Sequence, residues 1–128
     1  MASKYANLDP CFRAKLRLFE SELLKRNISA DPTGGYRSLA TQAALYAKGR
    51  TTPGPRVTNA KPGSSAHNYG MAMDYVPRMY GKRTYNVKAS YWIKFGLAAK
   101  AAGLTWGGTF RKILDRPHVE LPGWQKLK

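Results

Sequence analysis

Two histidines, His67 and His118, and three acids, Asp74, Asp115 and Glu120, carry most of the chemistry open to this chain. The other four acids, Asp9, Glu20, Glu22 and Asp31, lie early, where helix caps, turns or a solvated helix face account for them. Each late acid stands within seven residues of a histidine, in or beside an apolar, strand-like segment. With 7 Asp plus Glu against 22 Lys plus Arg, that clustering points to a requirement. His and Asp are zinc ligands, and a hydrolytic zinc site takes three protein ligands and leaves a fourth position open. The metal acidifies water and polarises a carbonyl; a separate base moves the proton. His67, Asp74 and His118 are the candidate ligands and Asp115 the candidate base. Glu120 is placed behind a ligand, orienting it, or against a nearby Arg. The same residues also fit a plainer account, with surface or core histidines and Asp74 as a cap or ion-pair partner.

Positioning follows from the neighbours. "MAMDYV" (71–76) reads as a strand, with Met71 and Met73 on one face and Ala72 and Asp74 on the other. Gly70 and Ala72 are small, leaving room beside Asp74, and a turn at Tyr69–Gly70 brings His67 to the same place. His118 to Leu121 reads as a second strand with His118 and Glu120 on one face. Pro117 stiffens the turn between Asp115 and His118.

Further out, Phe12, Leu16, Phe19 and Leu23 mark an amphipathic helix over 10–26, with Asp9 as N-cap and Pro10 first inside. Cys11 reads as a partly buried small residue in it. "DPTGG" (31–35) reads as a turn. A second helix is expected over 38–48, with Leu39, Ala43 and Tyr46 on one side and Gly49 as its stop. Residues 49–65 read as a long loop with a short strand at 56–58, and such loops are often functional. "PRMYGKRTYN" reads as a turn or lid, and 88–103 as a strong helix ending at Gly103. Helices mixed with short strands, without a βαβ repeat, indicate a small single α+β domain over 1–128.

The formal charge of +15 calls for an anionic partner or surface. The basic residues are scattered and no nucleic-acid motif appears, so no nucleic-acid partner is expected. No apolar run approaches the roughly 18 residues of a spanning helix, so no stable membrane insertion is expected. The start, MASKYANLDP, lacks a signal-peptide pattern, so folding in a cytoplasm is expected.

Ser65-Ala-His67-Asn-Tyr-Gly70-Met-Ala72-Met-Asp74 resembles the SxHxxGxAxD signature of the zinc DD-peptidase and L-alanyl-D-glutamate peptidase superfamily (M15-type). Asp115-Arg-Pro-His118-Val-Glu120 looks like its second motif, in which the acid three before the last ligand is the base. "GYRSLATQAALYAKGRTTPG", "VTNAKPGSSAHNYG" and "WIKFGLAAKAAGLTWGGTF" are similar to the subgroup of bacterial and phage enzymes that cut between L-Ala and D-Glu in peptidoglycan. The resemblance spans about residues 10 to 124. It implies a Hedgehog/DD-peptidase type fold, a short antiparallel sheet flanked by helices. It implies Zn²⁺ on His67, Asp74 and His118, with Asp115 as base. Arg37 matches an arginine that binds substrate and stabilises the oxyanion. Ser65 matches a serine near the substrate, and a structural loop hydroxyl fits it equally. Tyr69 and Gln42 are read as packing, with cleft lining as the alternative. Phe110 and Val119 stand where the family often has Trp and Phe, and both remain apolar.

The implied activity is a monomeric endolysin that cuts L-Ala–D-Glu bonds, with no separate wall-binding domain. It would wait in the host cytoplasm and reach the wall after the membrane is breached, drawn by its charge to the anionic envelope. A D-Ala-D-Ala carboxypeptidase or dipeptidase with the same metal site is the nearest alternative. A non-catalytic wall or nucleic-acid binding protein is the alternative from another class.

Overall fold

The first helix, α1, runs Pro10–Lys25 and buries the expected stripe. Phe12, Leu16 and Phe19 are fully buried and Leu23 nearly so, each contributing about 1.5–3 kcal/mol. Asp9 caps it, its carboxylate accepting from the Phe12 N–H at 3.0 Å. Cys11, beside Phe12 but off the stripe, is exposed rather than partly buried. The computed structural model describes residues 3–111 and 113–128.

Among the described residues five strands form one sheet of order β1-β2-β5-β4, with β3 on the outer end of β2; all these pairings are antiparallel. They are β1 (Ser29–Gly34), β2 (Ala72–Met79), β3 (Lys82–Arg83), β4 (Thr105–Trp106) and β5 (His118–Glu120). The stretch 31–34, expected as a turn, belongs to β1. Pro32 is tolerated because β1 is an edge strand, and the register shifts between Pro32 and Gly34. Asp31 holds the pairing by accepting from Arg78 and Arg83. The expected lid is a hairpin: β2 continues through Pro77 to Met79, and Tyr80–Gly81 turns into β3. No strand forms at 56–58, which stays loop.

α2 (Leu39–Ala47) is capped by Ser38, and Gly49 follows at φ 77°. Its buried side is not the expected Leu39–Ala43–Tyr46 side. Leu39 and Ala43 are exposed, and the one buried residue is Gln42. α3 (Ala89–Ala101) buries Trp92, Phe95 and Ala99 as its period requires. With α1 it covers one face of the sheet, enclosing Met73, Tyr75 and Val119 in the main core. Phe19, Tyr75 and Phe95 meet edge to face, with centroids 5.0 to 6.0 Å apart. Glu20 is no solvated helix acid. Its Oε2 accepts from Tyr5 at 2.8 Å and from the buried Tyr75 at 2.7 Å. Burial, with that carboxylate beside it, pushes the Tyr5 phenol up to about 12 and Tyr75 higher still.

The opposite face of the sheet carries Ala72, packed with Ala66 and Trp124 in a small second cluster. Asp74, His118 and Glu120 project to this side, because side chains alternate along β2 and β5.

Candidate metal centre

β2 and β5 pair Asp74 directly with His118, and Ala72 with Glu120. This register sets His118 Nδ1 3.0 Å from Asp74 Oδ1. His67 lies on a 3₁₀ turn, Ala66–Tyr69, that ends at Gly70 in the left-handed region. The turn swings the His67 Nε2 to 3.3 Å from Asp74 Oδ2. One ligand atom from each of His67, Asp74 and His118 lies within 4.8 Å of the other two. Both histidines are buried, at 4% and 6% exposure.

The outer ring nitrogens are held as well. His67 Nδ1–H donates to the Gly35 carbonyl at 2.7 Å, which leaves the Nε2 lone pair facing Asp74. His118 Nε2–H donates to Glu120 Oε1 at 2.6 Å, which turns Nδ1 toward Asp74. Glu120 is 7% exposed, and its other oxygen accepts from Trp124 Nε1–H at 2.6 Å. Two oriented imidazole nitrogens and a carboxylate converge on one point, each backed by a hydrogen bond that fixes its tautomer or aim. That donor set suits a tetrahedral divalent cation such as zinc.

Burial would lower the His118 pKa, but hydrogen bonds to Asp74 and Glu120 push it up to about 9. Burial would likewise raise Asp74, yet the hydrogen bond from His118, with the His67 ring beside it, holds its carboxyl well below the usual carboxylate range. A cation binding here displaces a proton from between the same groups.

Asp115 stands at the cleft side, its Oδ2 3.8 Å from His118 Nδ1. Desolvation raises its carboxyl above the ordinary range, with Asp74 and Glu120 adding to the rise and the histidines opposing it. Gly107 makes this approach possible. A Cβ there would lie 2.1 Å from the Asp115 carbonyl oxygen and 3.0 Å from His118 Cβ. The Asp115 N–H also donates to the Gly107 carbonyl at 3.0 Å. Gly70 serves a different purpose from the one expected. A Cβ there would meet the Asn7 carbonyl oxygen at 2.5 Å, so Gly70 admits the N-terminal segment, not the metal. Ala72 is packed under Ala66 and Trp124 rather than beside open space.

Arg37 completes the polar rim. Its guanidinium lies 4.0 Å from Asp74 Oδ2 and donates to Gln42 Oε1 at 2.9 Å. Gln42 is fully buried and donates to the Ala60 carbonyl at 2.7 Å, tying Arg37 to the 49–65 loop. Ser65 caps the 3₁₀ turn, its hydroxyl accepting from the His67 N–H at 3.3 Å, and it also faces the cleft. Tyr69 donates to the Gly63 carbonyl at 2.7 Å. A cleft of about 510 Å³ opens over Asp115, His118 and Glu120, walled by Val57, Phe110 and Ile113. Sequence reasoning undervalued Gln42 and overlooked Trp124, Gly35 and Gly107. The Ser65-x-x-Asn68 box was a readable signal for the turn: the Asn68 side chain accepts from the Ser65 N–H and donates to the Arg37 carbonyl.

A peptidase M15 family model, described as D-alanyl-D-alanine carboxypeptidase, matches residues 58–121, which hold all three candidate ligands and Asp115. The peptidoglycan L-alanyl-D-glutamate endopeptidase CwlK of Bacillus subtilis (strain 168) is 31% identical over 124 residues, 91% of this chain and 74% of that protein. The chain belongs to the M15 metallopeptidases. Solved structures carry the fold at lower identity. The Serratia marcescens L-Ala D-Glu endopeptidase ChiX aligns at TM-score 0.72 and 21% identity, covering 98% of this chain and 88% of that one. The vancomycin resistance D,D-pentapeptidase VanY, solved in complex with Zn(II), aligns at TM-score 0.65 and 14% identity, covering 92% and 74%. This M15 chain shares their small α+β architecture.

Proposed function

We propose that this M15 peptidase is a zinc-dependent endopeptidase that hydrolyses the L-Ala–D-Glu bond of peptidoglycan stem peptides. The observation that carries the chemistry is the convergence of His67, Asp74 and His118 with Asp115 beside them. The bond is suggested by the activities named for CwlK and ChiX. Zinc held by the three ligands supplies a Lewis acid for the scissile carbonyl and a water acidic enough to attack at neutral pH.

The chain's own residues do the rest. Asp115 accepts the proton of the attacking water as its oxygen bonds to the L-Ala carbonyl carbon. The raised carboxyl suits that role, because a weaker acid is a stronger base toward the water proton. Asp115 then passes it to the D-Glu nitrogen, the C–N bond breaks, and the amine leaves neutral. Arg37, braced by Gln42, faces the negative charge that grows on the carbonyl oxygen. Ser65 places a hydroxyl on the cleft wall for the peptide backbone. Glu120 keeps the His118 ring aimed.

In biological terms the reading is a monomeric endolysin, made in a host cytoplasm and acting on the wall once the membrane is breached. Attraction of the +15 chain to anionic envelope polymers helps bring it to the wall. The second reading, cleavage at D-Ala–D-Ala, rests on the description of the matching family model and on the VanY likeness. Elemental analysis combined with lysis of purified walls tests the catalytic part. One zinc per chain and lysis abolished by chelator are expected. Full lysis by metal-free protein overturns it.

A further inference from the structure

The sheet divides the molecule into a cleft side and a helical side. The outer surface of α3, on the helical side, is turned away from the sheet, opposite Trp92, Phe95 and Ala99. Ile93 and Leu97 lie one turn apart on it and are 58% and 51% exposed. Beside them runs a groove of about 450 Å³ floored by Leu104 and Trp106. Gly96 lets the Trp106 ring lie against the helix, since a Cβ there would stand 2.4 Å from the ring. Lys94 and Lys100 are exposed beside the apolar stripe, and Lys88 is exposed at the helix start. The 40 residues between Asp74 and Asp115 include eight Lys or Arg and no acid. The exposed leucines of α1 make no such stripe. Leu18 and Leu24, six positions apart, face different sides of the helix, and Glu22 neighbours Leu18.

We propose that this face of α3 docks on an anionic lipid bilayer surface. Ile93, Leu97 and the rim of the Trp106 groove enter the acyl boundary, while Lys94 and Lys100 reach outward to the headgroup phosphates. A bilayer offers what this surface asks for, apolar depth ringed by negative charge. A second copy of a +15 chain is repelled, and a soluble polyanion makes no use of Ile93 and Leu97. Among the described residues no helix is long and apolar enough to cross a membrane, so the contact is interfacial. Docking by α3 leaves Asp74, His118 and Asp115 on the side turned away from the lipid, open to polymer lying above the membrane. The docking itself does not depend on the peptidase reading.

Sedimentation with phosphatidylglycerol–phosphatidylcholine vesicles and with pure phosphatidylcholine vesicles tests this. The wild type is expected to bind the anionic vesicles and not the neutral ones. Ile93→Ser with Leu97→Ser, and separately Lys94→Glu with Lys100→Glu, should each weaken that binding about 10-fold or more. Ile93→Ser with Leu97→Ser should digest purified walls at the wild-type rate, and Lys94→Glu with Lys100→Glu, which lowers the charge that draws the chain to the wall, should cleave a soluble stem peptide at the wild-type rate, showing that both fold and that the cleft is untouched. Anionic-vesicle binding unchanged by Ile93→Ser with Leu97→Ser overturns the proposal, because charge alone then accounts for it. So does equal binding to neutral vesicles. Wild-type dimerisation in light scattering, abolished by the same serine variant, would assign the face to self-association instead.

Discussion

At the scale of single residues, the centre depends on which atoms are held and by what. Glu120 is buried and bridges His118 to Trp124 through its two oxygens. Glu120→Gln keeps the shape but removes the charge that backs the His118 ring. It should weaken zinc affinity about 10–100-fold, read by competition with a chelating dye. The backbone carbonyl of Asp115 accepts from the His118 N–H at 3.1 Å, a bond that Asp115→Asn keeps, so the substitution should spare metal binding. Its expected loss is in wall hydrolysis, about 10²–10⁴-fold, with zinc content unchanged. A variant that loses zinc as well would place Asp115 among the ligands. These residues were legible in the sequence because an acid-poor chain sets three acids beside its two histidines. The partners of the outer ring nitrogens were less so. Gly35 contributes a backbone carbonyl, which no residue type announces, and Trp124 reads as an ordinary core residue.

At the scale of elements, the helices α1 and α3 could be read from their apolar spacing, and β5 from the short run His118–Leu121. The edge of the sheet could not. β1 contains Asp, Pro, Thr and Gly, all turn formers, and is kept a strand by Arg78 and Arg83 from the neighbouring hairpin. These partners lie some fifty residues away, beyond any local pattern. Comparable separations hid the roles of Glu20, which bonds Tyr75, and of Gly70, which packs on Asn7. Gly70 looked like space for a metal, but only the packed N-terminal segment explains it.

Two predictions belong to this scale. Asp31 is held below the usual carboxylate range, chiefly by hydrogen bonds from Arg78 and Arg83. A depressed native pKa stabilises above the unfolded value of about 3.9 and loses that contribution as pH falls through the lower native value. Asp31→Asn should therefore cost about 0.5–1 kcal/mol near neutral pH, and the gap in Tm should close on strong acidification. A gap that widens in acid contradicts the pairing. Gly107→Ala should drive the Asp115 segment away from His118 and depress hydrolysis sharply, while far-UV circular dichroism stays native. Unchanged activity in that variant would mean the close approach is dispensable.

At the scale of the whole molecule, one sheet separates a helical core from the cleft that holds the metal-ligand cluster, and the chain carries 22 Lys and Arg side chains. The long-range attraction this creates is screened by salt. Affinity for purified walls should fall steeply as salt rises from low to physiological strength, measured by co-sedimentation. Binding that stays constant would mean the charge does not deliver the enzyme to its polymer. The central claim concerns the bond that is cut. Purified peptidoglycan digested by the zinc-loaded protein, with a chelator-treated control, and analysed by mass spectrometry decides it. New peptides with N-terminal D-Glu, absent from the control, are the predicted result; loss of terminal D-Ala alone, with every L-Ala–D-Glu bond intact, would contradict it.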